Sequence, residues 1–259
     1  MPKPLLFNNY SNDSNMPLIV FTSSGTVSNP DIGNYSYTYL DTTNTNGTIT
    51  RKIYLDDPND SPTIISFYGS SGGNTTLISV DYFNKNLILD STENMFGNCT
   101  NLKSVNFKNL DLSEVLYSSH MFYGCSSLLS VNLLSTNANL VEMYNIFCNC
   151  SSIQTIIMPN TSNGTDMGRA FYNCHSLTRI ENLNVSSVTN YENIFYNCSS
   201  LSYVELLSSN YNTIVSIIQQ LPTTYYNGTV DISKNSSTVI SNVTYFLGTS
   251  YKGWTIKTY

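Results

Sequence analysis

The sequence predicts an α/β repeat protein, a solenoid of short helix-turn-strand coils with a parallel sheet, preceded by a small β-rich N-terminal region. Two observations lead to this prediction. One pattern recurs at a nearly constant spacing through the middle of the chain, and residues that favour strands and turns dominate the composition. Asn, Ser and Thr account for 100 of the 259 residues, whereas Ala occurs twice. A bundle of long helices is therefore disfavoured.

Charge and hydropathy argue against several broad classes of protein. Charged residues make up 11% of the chain and the net charge is −6, so no nucleic-acid partner is expected, because such partners normally need a basic face. An apolar content of 41% argues against a disordered chain. The longest apolar runs fall far short of the roughly 18 residues of a membrane-spanning helix, so no membrane insertion is expected. The apolar run at residues 5–7 is too short for an ordinary export signal.

Residues 1–60 are predicted to form the β-rich N-terminal region. Its runs of Tyr, Ile, Val and Thr are separated by clusters of Ser, Asn, Gly and Pro, which is the pattern of short strands joined by turns. We interpret this region as a docking or anchor module. The predicted strands cover residues 18–21, 35–40 and 48–55.

An acidic run with two prolines, residues 56–62, marks the predicted domain boundary. Residues 61–259 are assigned to the repeat domain. A C-terminal cap is expected within it, from about residue 208 to residue 259. In this cap, residues 214–221 are predicted to form a helix and residues 226–232 a strand.

Five in-phase copies of one pattern form the centre of the chain. Each copy places Phe, Cys, Leu or Ile, and Val or Ile at the same relative positions, as expected of a repeat array. A weaker copy precedes them, because Leu77 and Val80 precede Leu102 and Val105 by the same spacing. The recurring residues are Phe96, Phe122, Phe147, Phe171 and Phe195, and Cys99, Cys125, Cys150, Cys174 and Cys198.

Each copy predicts one coil of the stack. Before each Phe, apolar residues lie three or four apart, which suits about two turns of helix. Asn or Gly precedes each Cys and tolerates the left-handed conformation that ends a helix. Alternating inward residues then predict a short strand, and stacked coils would share a buried spine of Phe, Cys, Leu and Val. The Asn and Gly positions are Asn98, Gly124, Asn149, Asn173 and Asn197.

The phrase MF-x-x-C-x-x-L-x-x-V-x-L, as at residues 121–133, resembles the BspA-like leucine-rich repeats of bacterial and protozoan surface proteins. The resemblance spans roughly residues 73–207. It implies a leucine-rich-repeat solenoid that binds other proteins through its sheet. Residues 253–256 are similar to the closing strand often found in that family, and the single tryptophan, Trp254, suits a cap at the end of the stack.

Six cysteines raise the questions of disulfides and of metal binding. Adjacent coils of a parallel sheet lie about 5 Å apart, which leaves disulfides geometrically open. Side chains stacked in register point the same way, however, and an odd ladder cannot pair completely, so a reduced and buried ladder is favoured. Cys148 is expected to face outward, on a different side from Cys150. The spacing does not match a zinc site, and no metal or cofactor is expected.

No catalytic residues are predicted, and the chain is not expected to be an enzyme. His120 and His175 occupy different positions of the repeat and are interpreted as separate surface substitutions. The chain contains no nucleophile elbow, phosphate loop, dinucleotide fingerprint or zinc-protease motif. Glu181 and Glu205 are the carboxylates in equivalent positions, and we interpret them as two solvated charges on the sheet surface.

Exposed positions that recur from coil to coil are the candidate binding residues. Tyr and Arg supply interface anchors at modest entropic cost. An alternative for the tyrosines is that each simply covers the turn of the next coil. The candidates are Tyr123, Tyr172 and Tyr196 in one stripe, and Arg179, Tyr203 and Glu205 on the exposed strand face.

The sequence thus predicts a non-enzymatic structural or attachment protein. The absence of an export signal, together with an uncharged, β-rich composition, favours a bacteriophage virion component exposed on the virion surface, such as a capsid decoration, fibre or tail-associated protein. The alternative is a bacterial or protozoan adhesin at the cell surface, which the BspA-like resemblance implies. Expected partners are other protein subunits of an assembly, or a protein or glycan of a host surface.

Overall fold

The computed structural model describes residues 16–26, 28–57, 60, 62–68, 72–85, 87–136, 139–223 and 228–259. Within these residues the protein has an α/β structure, in which two mixed sheets dominate and helices are few.

The first sheet has five strands in the order β2-β3-β1-β4-β5. Strand β1 is antiparallel to both β3 and β4, and β4 is parallel to β5. Strand β4 therefore joins the N-terminal strands to the repeats. Its Val80 pairs with Val105, which confirms the weaker first copy of the repeat. The three predicted N-terminal strands are also confirmed. The strands are β1 Ile19–Ser24, β2 Tyr37–Thr43, β3 Thr48–Leu55, β4 Leu77–Phe83 and β5 Ser104–Val105.

The second sheet has seven strands in the order β11-β12-β10-β9-β8-β7-β6. Strands β6 to β10 and β12 run parallel, whereas β11 is antiparallel to β12. Ile156 pairs with Val131 on one side and with Ile180 on the other, so equivalent positions of successive repeats lie side by side. The strands are β6 Ser130–Asn132, β7 Thr155–Ile157, β8 Arg179–Asn184, β9 Tyr203–Leu207, β10 Gly228–Asp231, β11 Ser250–Tyr251 and β12 Trp254–Lys257.

In the described part of the chain, two α-helices follow the repeats, and a short 3-10 helix, Leu134–Thr136, lies within them. Helix α1, Tyr211–Gln219, begins after Asn210, whose side chain accepts the N–H of Asn212. This helix confirms the one predicted from residue 214, with an earlier start. Helix α2, Ser237–Leu247, was not predicted from the sequence.

The C-terminal cap packs around Trp254, which is completely buried. Its indole Nε1 donates to the carbonyl of Pro222 at 2.8 Å. A Cβ added to Gly228 would lie 2.7 Å from the indole ring, so only glycine fits there. The predicted cap strands correspond to β10 and β12, while residues 226 and 227 of the first prediction lie outside the described residues.

The segment before each spine phenylalanine is a series of turns and not the predicted helix. Asn94 and Asn98 have left-handed φ angles of 54° and 55°. The N–H groups of Asn94, Phe96 and Asn98 donate to carbonyls of the next repeat at 2.6–3.1 Å. The helix prediction is wrong because a left-handed residue at every fourth position cannot continue a right-handed helix. The left-handed residue before each Cys is confirmed. The left-handed pairs are Asn94 and Asn98, His120 and Gly124, Asn145 and Asn149, Arg169 and Asn173, and Asn193 and Asn197.

The five recurring phenylalanines form one stack in the interior. Their rings are almost parallel, and neighbouring centroids lie 5.2–5.9 Å apart. Phe67 extends this stack, at 5.6 Å from Phe96. The sequence period missed Phe67 because its distance from Phe96 along the chain exceeds the regular spacing.

All six cysteines are free and buried, which agrees with the reduced ladder predicted for the five recurring ones. The ladder thiols repeat one contact. Cys125, Cys150, Cys174 and Cys198 each donate an S–H to the carbonyl of the phenylalanine one repeat earlier, at 2.9–3.1 Å. Burial raises the pKa of Cys198 to about 12. The thiols therefore act as packed hydrogen-bond donors.

Cys148 does not face outward as the sequence predicted. It is 5% exposed, and burial raises its pKa to about 11 despite the opposing effect of Arg169. In the repeat it holds the position of Tyr123 in the preceding copy and of Tyr172 in the following one. A thiol is much smaller than a phenol, so it lies below the surface that the larger residues reach.

Candidate binding surface

The strand face of the second sheet carries an interlocked group of polar side chains. The guanidinium of Arg179 on β8 lies 3.7 Å above the ring centroid of Tyr203 on β9. This contact follows from the parallel register, which pairs the two residues directly. Arg179 Nε also donates to Glu181 Oε1 at 2.5 Å. The structure thus brings together two of the predicted binding residues.

Asp231 on β10 ties this group to the cap. Asp231 Oδ2 accepts two hydrogen bonds, one from the Tyr203 hydroxyl at 3.0 Å and one from Lys257 Nζ at 2.7 Å. Asp231 Oδ1 accepts a hydrogen bond from the Ser233 hydroxyl. Burial would raise the pKa of Asp231, but these hydrogen bonds together lower it to about 2. Burial and the adjacent Asp231 carboxylate raise the pKa of Tyr203 to about 12. The hydroxyl is thereby held neutral and fully engaged within the molecule.

The sequence predicted that Glu205 is a solvated charge, and this prediction is wrong. Glu205 lies beneath the strand face. Its side chain is 7% exposed, and Oε1 pairs with Lys234 Nζ at 2.5 Å. Its Oε2 accepts the backbone N–H of Asn182 at 2.9 Å. Asn182 has a φ of 60° and interrupts the ladder between β8 and β9. This interruption turns an N–H toward the carboxylate, which sequence periodicity alone does not reveal.

The tyrosine stripe is divided into a stacked pair and a separate residue. The rings of Tyr172 and Tyr196 lie 4.8 Å apart at 15°, and Arg169 lies 5.8 Å from the ring of Tyr172. Tyr196 is 50% exposed. Tyr123 contacts the ring of His120 instead. In the repeat that separates Tyr123 from Tyr172, the tyrosine position is held by Cys148. The predicted residues Tyr172 and Tyr196 therefore form the tyrosine pair, and Tyr123 is outside it.

The histidines remain apart in the repeat, as the sequence indicated. His120 is half-buried and its Nε2 lies 3.1 Å from the side-chain amide of Asn145. Burial lowers the pKa of His120, although Glu93 opposes this shift. His175 is exposed at the corner after Cys174.

Clustered metal ligands and long apolar helices are both absent from the described part of the chain. No group of three or more His, Cys, Asp or Glu residues in the described ranges is placed to hold a metal ion. None of the described helices has the length and apolar character needed to span a bilayer.

The repeats match a family of known proteins. Residues 90–206 match the model of a family described as "Mycoplasma protein of unknown function, DUF285". That family is related to the BspA-like repeat proteins. No curated protein and no solved structure matches the chain. The family description names no activity.

Proposed function

We propose that the protein is a BspA-like leucine-rich-repeat solenoid that acts as a non-enzymatic attachment protein. It binds a protein or a glycan through side chains on the outside of its coils. The observation that carries this proposal is the tyrosine pair, a stacked and half-exposed aromatic surface built on a rigid repeat. The interior of the described residues offers no comparable surface, because the five recurring phenylalanines and the five recurring cysteines that fill it are 0–1% exposed.

The tyrosine pair is better suited to binding than the strand face. Arg179 and Tyr203 are engaged with Glu181 and Asp231, so a partner would have to compete with existing contacts. Tyr196 leaves half of its surface free. An aromatic side chain held by stacking loses little entropy on binding, which favours affinity.

A cell-surface location is the version of this function that we favour. The supporting observation is the match of the repeats to a Mycoplasma family related to BspA-like proteins, whose repeats resemble those of bacterial surface proteins. A virion component, expected from the composition, stays a prediction. Protease treatment of intact cells that make the chain separates the two locations. Loss of the chain from intact cells supports a surface location, and full protection contradicts it.

Binding is tested with fluorescently labelled protein and intact eukaryotic cells. We expect Tyr196→Ala to weaken cell binding about tenfold, the usual loss at an interface anchor. Tyr245→Ala is the matched control, because Tyr245 is 84% exposed and lies on α2, which follows the repeats in the chain. Equal binding by the two variants would contradict the assignment of the tyrosine pair.

A further inference from the structure

Within the described residues, the outer edge of β2 presents backbone groups without partners. Strand β2 forms one end of the first sheet. The N–H of Asp56 donates to the carbonyl of Ser36, and the N–H of Asn44 to the carbonyl of Thr48, so the even-numbered residues face β3. In an antiparallel ladder the alternate residues then direct their N–H and C=O groups outward. The outward residues are Tyr37, Tyr39, Asp41 and Thr43.

The described chain neither pairs nor covers these outward groups. Across the described ranges, no hydrogen bond reaches the backbone N–H or C=O of any of the four. All seven residues of β2 are at least partly exposed. Since unpaired backbone groups at a sheet edge are a template for another strand, this edge can accept one.

The usual protections of an edge strand are missing from β2. Such strands are commonly shortened, bulged, or marked by Lys or Pro. Strand β2 has seven residues in unbroken register with β3, and it contains neither Lys nor Pro. Its single charge, on Asp41, is paired with Arg51 at 2.6 Å.

The outer edge strand of the second sheet, unlike β2, carries features that block pairing with another strand. The outer strand of the second sheet, β11, has two residues and is followed by Lys252, whose φ of 50° turns the chain away. The inner ends of the two sheets adjoin, since Ser127 donates to the carbonyl of Thr100. One outer edge is therefore blunted, whereas the edge at β2 is left open.

We propose that β2 pairs antiparallel with β2 of a second copy, about a two-fold axis at Leu40, to form a homodimer. Tyr39 of one copy then lies opposite Asp41 of the other, and Tyr37 opposite Thr43. This register pairs all the outward groups and forms about eight backbone hydrogen bonds. The five-stranded sheets of the two copies become one continuous sheet.

Charge complementarity favours a second copy of the chain as the partner of β2, and it favours the register with the axis at Leu40. With the axis at Leu40, each Asp41 faces a Tyr39 ring that carries the Arg51 guanidinium of the other copy at 3.8 Å. An axis at Asp41 would set two carboxylates directly opposite, which is unfavourable. An axis at Tyr39 would leave Thr43 unpaired. A closed two-fold contact of this kind uses the same surface on both copies.

Leu40 is the residue that this arrangement explains. It is partly exposed on β2 and does not pack against the hydrophobic core of its own chain. At the axis it meets Leu40 of the second copy, which buries both side chains. The proposed dimer is independent of the proposed attachment function. If both hold, each dimer carries two copies of the binding surface.

Light scattering of the full chain during size exclusion tests the dimer. We expect a mass twice the 28.9 kDa of the chain. Leu40→Lys should return the mass to that of one chain, because it sets two cations together at the axis. Leu129→Lys is the matched control, since Leu129 is 51% exposed and lies in the repeats. That variant should remain dimeric.

Oxidative crosslinking tests the register. Opposed residues at a non-hydrogen-bonded position lie about 4.5 Å apart between Cα atoms, within disulfide range. Under mild oxidation Leu40→Cys should give a covalent dimer and Leu129→Cys should not. The proposal is overturned by a monomeric full chain, by a dimer that Leu40→Lys leaves intact, or by dimerisation only after residues 1–15 are removed. The last result would mean that the chain covers its own edge.

Discussion

At the scale of single side chains, left-handed residues shape the backbone of each repeat. Asn173 has a φ of 59°. Its amide donates to Asn149 at 2.9 Å and accepts from Asn197 at 2.9 Å. Asn thus serves twice, because it tolerates this backbone conformation and links three coils through a ladder of side-chain amides.

Replacement of Asn173 separates these two contributions. Asn173→Gly removes the amide bonds but keeps the left-handed conformation accessible, so we expect a loss of about 1 kcal/mol in the free energy of unfolding. Asn173→Val adds a strained β-branched residue, and we expect a loss of about 2–4 kcal/mol. Urea unfolding followed by circular dichroism measures both. Equal losses would show that backbone conformation is not limiting at this position.

The sequence predicted the second left-handed residue of each pair but not the first. Asn or Gly recurs before every spine cysteine, which is a recognisable signal. The first position is held by His120 in one coil and by Arg169 in another. Arginine rarely adopts a left-handed conformation, and histidine is a weaker signal of it than Asn or Gly, so the pattern was obscured and a helix was predicted. The bonds that stabilise these residues run to the next coil, and single-coil patterns cannot show them.

At the scale of the coil, the thiol ladder joins neighbouring repeats. Each ladder thiol lies in the interior and donates to a backbone carbonyl of the preceding coil. A buried thiol is stable only when neutral, because the thiolate would lose its solvation. The ladder should therefore make the stability of the protein sensitive to alkaline pH.

The sign of this pH dependence follows from Cys198. Its pKa rises from 9.0 to about 12 on folding. Between these values the unfolded chain releases a proton that the folded chain retains, so stability falls as pH rises above 9. Cys198→Ala should make the fall shallower by up to about 1.4 kcal/mol per pH unit. The measurement is urea unfolding from pH 8 to pH 11, with Ser202→Ala as an exposed control.

An unchanged slope in Cys198→Ala would contradict the proposed role of the buried thiol. The same comparison applied to Ser202→Ala should show the slope of the unmodified chain, since Ser202 is exposed on the outside of its coil.

At the scale of the whole molecule, stability depends on how the second sheet ends. A terminal coil has no neighbour on one side, so a repeat array needs a cap. Here the cap is built on Trp254, which the sequence identified from its position near the end of the chain. The fit of its ring against Gly228 was not predictable, because it depends on the close approach of two strands that are distant along the chain.

Truncation of the Trp254 side chain should destabilise the C-terminal cap. Trp254→Ala is expected to lower the free energy of unfolding by about 3–5 kcal/mol, the usual cost of removing a buried aromatic side chain. Trp254→Phe should cost less, since it keeps most of the ring while leaving the Pro222 carbonyl without its donor. Circular dichroism is the required readout, because these variants lack the only tryptophan. A loss below about 1 kcal/mol in Trp254→Ala would contradict the capping role.

The large-scale organisation was the most predictable part of the protein. Spacing of Phe96 and its successors predicted the number of repeats and the parallel strands, because a regular period leaves one simple way to bury all the phenylalanines. The candidate surface was predicted less well. Arg179 and Tyr203 were expected on one face, but the burial of Glu205 depends on the irregular backbone at Asn182. Such local departures from the period carry no signal in the residue pattern.

Stacking of equivalent coils is tested most directly by distances between spin labels along one column of exposed residues. The column consists of Lys103, Leu129, Gln154, Thr178 and Ser202, whose backbones are linked in succession. Labels at Lys103 and Gln154 should lie about 10 Å apart, and labels at Lys103 and Ser202 about 19 Å, because each coil adds one parallel-strand spacing. Samples diluted with unlabelled chain exclude distances between copies. Linear growth of distance with coil number is the predicted result, and distances unrelated to coil number would contradict the stack.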